Sequence, residues 1–126
     1  MLPLVTDGDY RTRWECGPQR PTQEIPADLG RIATVGAVVP ALGRFATDFP
    51  RHLRVETSSD GSTWESAFDG AVLAEAIEAE FVDPAANRLV VAFAPRPARY
   101  IRLRLMDADD VWYWSIAELE VWSGSP

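Results

Sequence analysis

A chain of 126 residues with 12 Lys+Arg against 19 Asp+Glu carries a formal net charge of −7. At 47% hydrophobic and 25% charged it has the makeup of one globular domain over 1–126, not of a disordered segment. The acidity argues against nucleic acid as a partner, because phosphate binding needs a basic face. No apolar run approaches the ~18 residues of a membrane helix, so no membrane insertion is expected.

The single cysteine, Cys16, excludes an internal disulfide and any cysteine-based zinc site. It reads as a small semi-buried residue rather than a nucleophile. The apolar start Met1–Val5 is too short for a signal h-region, so no signal peptide is expected in this chain. Ten prolines and eight glycines break the sequence into short segments, which suits an all-β sandwich better than a helical bundle.

In chain order, Ile32–Val39 reads as a strand with Gly36 a candidate bulge. In Arg51–Thr57, Leu53 and Val55 alternate with His52, Arg54 and Glu56, the period-two pattern of a half-buried strand. Ser59-Asp60-Gly61-Ser62 supplies a tight hairpin turn, and Trp64 follows in the return strand. The segment 71–80 predicts a short helix with Val72, Leu73, Ala76 and Ile77 on one face. Leu89–Phe93 reads as a covered strand. In Tyr100–Leu105, Ile101, Leu103 and Leu105 alternate with Tyr100, Arg102 and Arg104. The last segment, Ser115–Trp122, changes parity between Ile116 and Leu119, which predicts a bulge near Ala117. Together these imply two antiparallel sheets packed face to face.

The sharpest local cluster is Thr6-Asp7-Gly8-Asp9-Tyr10-Arg11-Thr12-Arg13-Trp14. Carboxylates, a hydroxyl and carbonyl oxygens can converge there on a hard cation, which wants six to eight oxygen ligands and so needs a further carboxylate from elsewhere. The competing reading is a simple Asp-Gly turn with solvated acids.

That cluster is followed by Ala27-Asp28-Leu29-Gly30, by Val55 and Ser59-Asp60-Gly61 with Trp64, by Ala98-Arg99-Tyr100-Ile101-Arg102-Leu103, and by Trp114-Ser115-Ile116-Ala117-Glu118-Leu119. In this order the motifs resemble the discoidin family, the coagulation-factor 5/8 type C domain, with galactose-binding-like carbohydrate modules among its bacterial relatives. The resemblance covers essentially the whole chain. It departs at the front, where only six residues precede the Asp7 loop and family members carry a fuller first strand.

The resemblance implies an all-β, eight-stranded antiparallel jelly-roll β-sandwich (galactose-binding domain-like) with a structural Ca²⁺ near one end. Carried over position by position, side-chain ligands would be Asp7, Thr12 and Glu118, and backbone carbonyls would come from Leu4, Asp9, Thr12 and Ala117. It also implies ligand-binding loops at one end of the sandwich. Two segments qualify: Leu42–Pro50 with Arg44, Phe45 and Asp48, and Met106–Trp114 with Trp112 and Tyr113. Rings crowded into loops are costly to expose unless something covers them. The alternative is that Phe49, Trp112 and Trp114 fold back as plugs over the sandwich end.

Other motif residues read structurally. Trp14 and Trp64 pack in the core or under loops, Asp28 and Gly30 shape a turn, and Arg99 and Arg102 pair with acids on neighbouring strands. The only histidine, His52, lies on the polar face of its strand, and no nucleophile elbow, phosphate loop or metal-hydrolase motif is present. The leading expectation is a non-catalytic carbohydrate-binding module for a galactose-like sugar, outside the cell or in the periplasm as part of a larger protein. The alternative is a protein- or lipid-interaction domain of the same fold without sugar binding. A small hydrolase drawing a carboxylate pair from the cluster Asp107, Asp109 and Asp110 is the third reading.

Overall fold

Alternation of apolar and polar side chains builds the centre of this protein. Leu53 and Val55 face inward opposite Leu105 and Leu103, and all four are fully buried. Arg54, Arg102 and Arg104 occupy the intervening positions and stay half-buried. In the computed structural model, residues 14–19, 23–43, 46–107 and 109–123 are described.

The elements are β1 (Trp14–Gln19), β2 (Glu24–Ala41), a 3-10 turn (Ala46–Asp48), β3 (Leu53–Ser58), β4 (Glu65–Gly70), α1 (Leu73–Val82), β5 (Val91–Leu105), β6 (Asp109–Ile116) and β7 (Glu118–Ser123). The larger sheet has the order β4-β3-β5-β2-β7, and β1 pairs with β6 in a second, two-stranded sheet. Every pairing is antiparallel. Trp114 and Ile116 of the small sheet join Ile25, Val38, Ile101 and Leu103 of the large one in a single apolar core. The fold is thus the expected β-sandwich. Seven strands lie among the described residues, and the chain before Trp14, where the first strand was expected, lies outside them.

Several expectations reappear in altered form. The Ile32–Val39 segment is the middle of an 18-residue strand. Its register slips between Val35 and Ala37 in both ladders that β2 makes, which places the bulge at Gly36. Tyr100–Leu105 and most of Leu89–Phe93 merge into one 15-residue strand. Pro95 and Pro97 are tolerated inside it because β3 pairs only with Tyr100–Leu105, so β5 is an edge there on that side. The Ser59–Ser62 turn forms as read: Asp60 Oδ1 accepts from Ser62 N and Thr63 N, each at 2.8 Å. Gly61 has φ +80°, a left-handed conformation that calls for glycine, although a Cβ there would only reach ordinary contact with the Tyr100 ring.

The helix begins and ends two residues later than expected. It stops at Asp83 because the residue before a proline, here Pro84, is disfavoured in the helical region. Its face also differs. Val72, Ala76 and Ala79 are buried, whereas Leu73 and Ile77 point outward, because the small alanines let the helix seat closely on the core. No helix among the described residues is long and apolar enough to cross a membrane.

The parity change near Ala117 marks a change of sheet. β6 ends at Ile116 in the small sheet, and β7 starts at Glu118 in the large one. Between them Ala117 N donates to Ala41 O at 2.8 Å.

Candidate functional site

The two segments expected to carry a ligand meet at one end of the sandwich. In the 42–50 segment, Leu42 is buried and its N–H donates to Asn87 O at 3.1 Å. Asn87 adopts a left-handed φ of 47°, and its amide donates to Gly43 O at 2.7 Å and to Pro84 O at 2.6 Å. Asn tolerates this conformation better than most residues, so one side chain supports both the turn after α1 and the start of the 42–50 segment.

The far end of the same segment is fixed to β1. Gln19 Nε2 donates to Phe49 O at 2.8 Å, and Arg51 N donates back to Gln19 Oε1 at 3.0 Å. The Arg51 guanidinium lies 3.9 Å from the centre of the Phe49 ring. Phe49 packs half-buried against the core, and Trp114 is wholly within it, so both serve as the plugs that sequence suggested.

The middle of the segment is tied to β6. Asp48 closes the 3-10 turn, is only 6% exposed, and its Oδ2 accepts a hydrogen bond from Ser115 Oγ at 2.5 Å. Asp48 was expected to touch ligand; its buried carboxylate instead holds the loop onto the strand. Arg44 and Phe45 lie outside the described residues. Trp112 and Tyr113 belong to β6 rather than to a loop, since the chain is strand from Asp109 onward, with Tyr113 opposite Pro18 of β1.

At the proposed cation end, Leu4, Asp7, Asp9 and Thr12 lie outside the described residues. Ala117 and Glu118 stand at the sheet change. Trp14, two residues beyond Thr12, pairs with Ile116, which brings the end of the Asp7 cluster beside Ala117 and Glu118. Among the described residues alone, no group of three or more His, Cys, Asp or Glu side chains is arranged for a metal ion.

His52 takes part in a separate cluster. Its Nε2 makes a close contact with Asp69 Oδ1, and Nδ1 lies 3.6 Å from Asp107 Oδ2. The Asp69 hydrogen bond chiefly raises the imidazole pKa above its ordinary value, despite some opposing desolvation. Asp107 is thereby drawn to a histidine that directly precedes β3 rather than lying on the strand as expected. The arginine pairings form as expected: Arg99 Nε reaches Asp28 Oδ1 at 2.9 Å, and Arg102 Nε reaches Glu56 Oε1 at 2.6 Å. Trp64 lies under Arg102, with the guanidinium 4.1 Å from its ring centre. Asp28 Oδ1 also accepts from Gly30 N at 2.8 Å, completing the expected turn.

Sequence reasoning missed Gln19, Asn87 and Ser115. Each acts through a partner more than thirty residues away, and no local spacing announces such a contact.

The F5/8 type C domain family model matches residues 3–119. No curated protein matches the sequence. Among solved structures, the chain is similar to the CBM32 of AlyQ in complex with 4,5-unsaturated mannuronic acid, with 22% identity, a TM-score of 0.71, and coverage of 97% of this chain and 85% of that one. It is also similar to CBM32-3 from a family 31 glycoside hydrolase of Clostridium perfringens, with 19% identity, a TM-score of 0.71, and coverage of 98% and 82%. A chitosan-binding module from a chitosanase/glucanase of Paenibacillus sp. IK-5 gives 19% identity, a TM-score of 0.70, and coverage of 98% and 85%. The chain spans 28% of a truncated AlyQ that carries CBM32 and alginate lyase domains.

Proposed function

We propose that this chain, which belongs to the F5/8 type C domain family, is a non-catalytic carbohydrate-binding module. Its ligand surface is the sandwich end where the 42–50 segment meets β6. The observation that carries this reading is the Asp48–Ser115 hydrogen bond, which fastens the segment bearing Arg44 and Phe45 to the strand bearing Trp112 and Tyr113. Aromatic faces stack on the C–H faces of sugars, and arginine and carboxylate groups pair with hydroxyls. Arg44, Phe45, Trp112 and Tyr113 are the proposed contacts, with Asp48 as a positioning residue.

Relatives of the same fold support a sugar ligand. One is described with 4,5-unsaturated mannuronic acid, one as chitosan-binding, and one in complex with GalNAc-β-1,3-galactose. A galactose-like sugar is the ligand proposed for this chain. The module would act outside the cell or in the periplasm, beside other domains of a larger protein. A hydrolytic role is disfavoured because the only histidine, half-exposed just before β3, is held between Asp69 and Asp107.

A structural Ca²⁺ completes the proposal, held by Asp7, Thr12 and Glu118 side chains and by carbonyls of Leu4, Asp9, Thr12 and Ala117. What supports this is the pairing of Trp14, two residues beyond Thr12, with Ile116, which directly precedes Ala117 and Glu118. Such an ion would neutralise converging oxygens and tie the front of the chain to its last strands. A glycan array followed by titration calorimetry tests the sugar reading. Saturable binding that Trp112→Ala or Arg44→Ala abolishes is expected. No binding of any sugar at millimolar concentration would overturn it.

A further inference from the structure

In α1 the small residues face the core and the large apolar ones face solvent. Leu73 is 55% exposed, Ile77 51% and Phe81 85%. At a spacing of four they form one ridge that starts at the edge of the buried face, beside Ala76, and turns away from it toward Phe81. A surface helix ordinarily turns such a stripe inward, and contiguous exposed apolar surface marks an interaction site.

The charges around the ridge are all of one sign. Glu75, Glu78 and Glu80 are the charged residues of α1, which has no basic residue. At ~100° per residue, Glu78 and Glu80 fall on opposite flanks of the ridge. Past Glu78, on the next face of the helix, lies a groove of 230 Å³ lined by Glu75, Glu78 and Asp83 together with the exposed Val82 and Val90, and no ridge residue lines it. Arg88 also borders this groove, but Glu120 already holds its guanidinium through both carboxylate oxygens, at 3.0 and 2.9 Å.

We propose that α1 is a docking ridge for an amphipathic helix of a partner protein whose apolar stripe is flanked by lysine or arginine. Ridges at i±4 spacing pack into the matching grooves of a second helix, and a basic rim complements Glu78 and Glu80. A second copy of this chain fits poorly, since two-fold pairing of α1 would set these acids against themselves on molecules of net charge −7. An anionic lipid surface fits poorly for the same reason. The ridge uses none of the residues proposed for sugar binding and stands whether or not a sugar is bound.

The test uses the full chain and two synthetic helix-forming peptides of about twenty residues, identical in their leucine stripe and flanked either by lysine or by glutamate. The lysine peptide is expected to bind saturably and more weakly as salt rises. Ile77→Ser with Phe81→Ser should weaken it at least ~tenfold without lowering the melting temperature. Glu78→Lys with Glu80→Lys should transfer the preference to the glutamate peptide. Equal binding of both peptides, or binding unchanged in the Ile77/Phe81 variant, would overturn the proposal. So would a concentration-dependent dimer, or capture by phosphatidylserine vesicles, that the same variant abolishes.

Discussion

Trp14 lies opposite Ile116 in the antiparallel ladder of β1 and β6. The chain just after the Asp7 cluster is therefore a neighbour of the chain just before Glu118, although about a hundred residues separate them in sequence. A cation bridging the two would stabilise only the folded state, by about 2.7 kcal/mol at a hundred times its dissociation constant. Calcium is expected to raise the melting temperature by several degrees, and a chelator to reverse the rise. Glu118→Ala should remove the calcium dependence. A melting temperature indifferent to calcium and chelator would exclude the site.

The Asp48–Ser115 bond joins a 3-10 turn to a strand in a buried setting. Ser115→Ala deletes the hydroxyl and strips a buried carboxylate of one partner, at a cost of about 1–3 kcal/mol in urea unfolding. If Asp48 positions the ligand loop, sugar affinity should fall as well, by a larger factor than in an exposed-serine control such as Ser62→Ala. Calorimetry on both variants checks this.

Glu56 is 4% exposed on the outer face of the large sheet. Arg102, Arg104 and Arg54 surround its carboxylate at 2.6, 3.4 and 3.1 Å. Burial by itself would raise its pKa, but the three guanidinium groups outweigh burial and hold it below the usual carboxylate value. Because the folded pKa is depressed, this stabilisation is fully present above the unfolded value and is lost as pH falls through the folded one. Glu56→Gln should cost roughly 1.5–3 kcal/mol near neutral pH and flatten the acid limb of the stability curve. Urea midpoints measured from about pH 3 to about pH 7 provide the comparison.

His52 shifts in the opposite sense, raised by Asp69 and, more weakly, by Asp107. Its contribution is complete below the ordinary imidazole value near 6.5 and disappears as pH rises through the higher folded value. His52→Gln should be least stable relative to the wild type on the acid side of neutrality and approach it in mild alkali. A difference that does not change with pH would show that the imidazolium pairing adds nothing.

Alternation made β3 and the second half of β5 legible, because each has one apolar and one charged face. The turn at Asp60-Gly61 was equally plain, since its chemistry is local. The length of β2 and β5 was hidden by prolines read as breaks. Pro26 sits where β2 has only β5 beside it, as β7 pairs from Val35 onward, so a missing N–H on the open side costs nothing. The helix was visible but its orientation was not, because periodicity alone favoured burying Leu73 and Ile77. At the proposed ligand end, the contacts that fix the 42–50 segment to β6 and β1, Ser115 to Asp48 and Gln19 to Phe49 and Arg51, were not legible because they depend on folding.

Titration calorimetry with a galactose-containing disaccharide, on the wild type and on Trp112→Ala, tests sugar recognition most directly. The wild type should give a saturable isotherm in the micromolar-to-millimolar range, and the variant none while melting at the same temperature. A flat wild-type trace for this sugar and for every binder on a glycan array would contradict it.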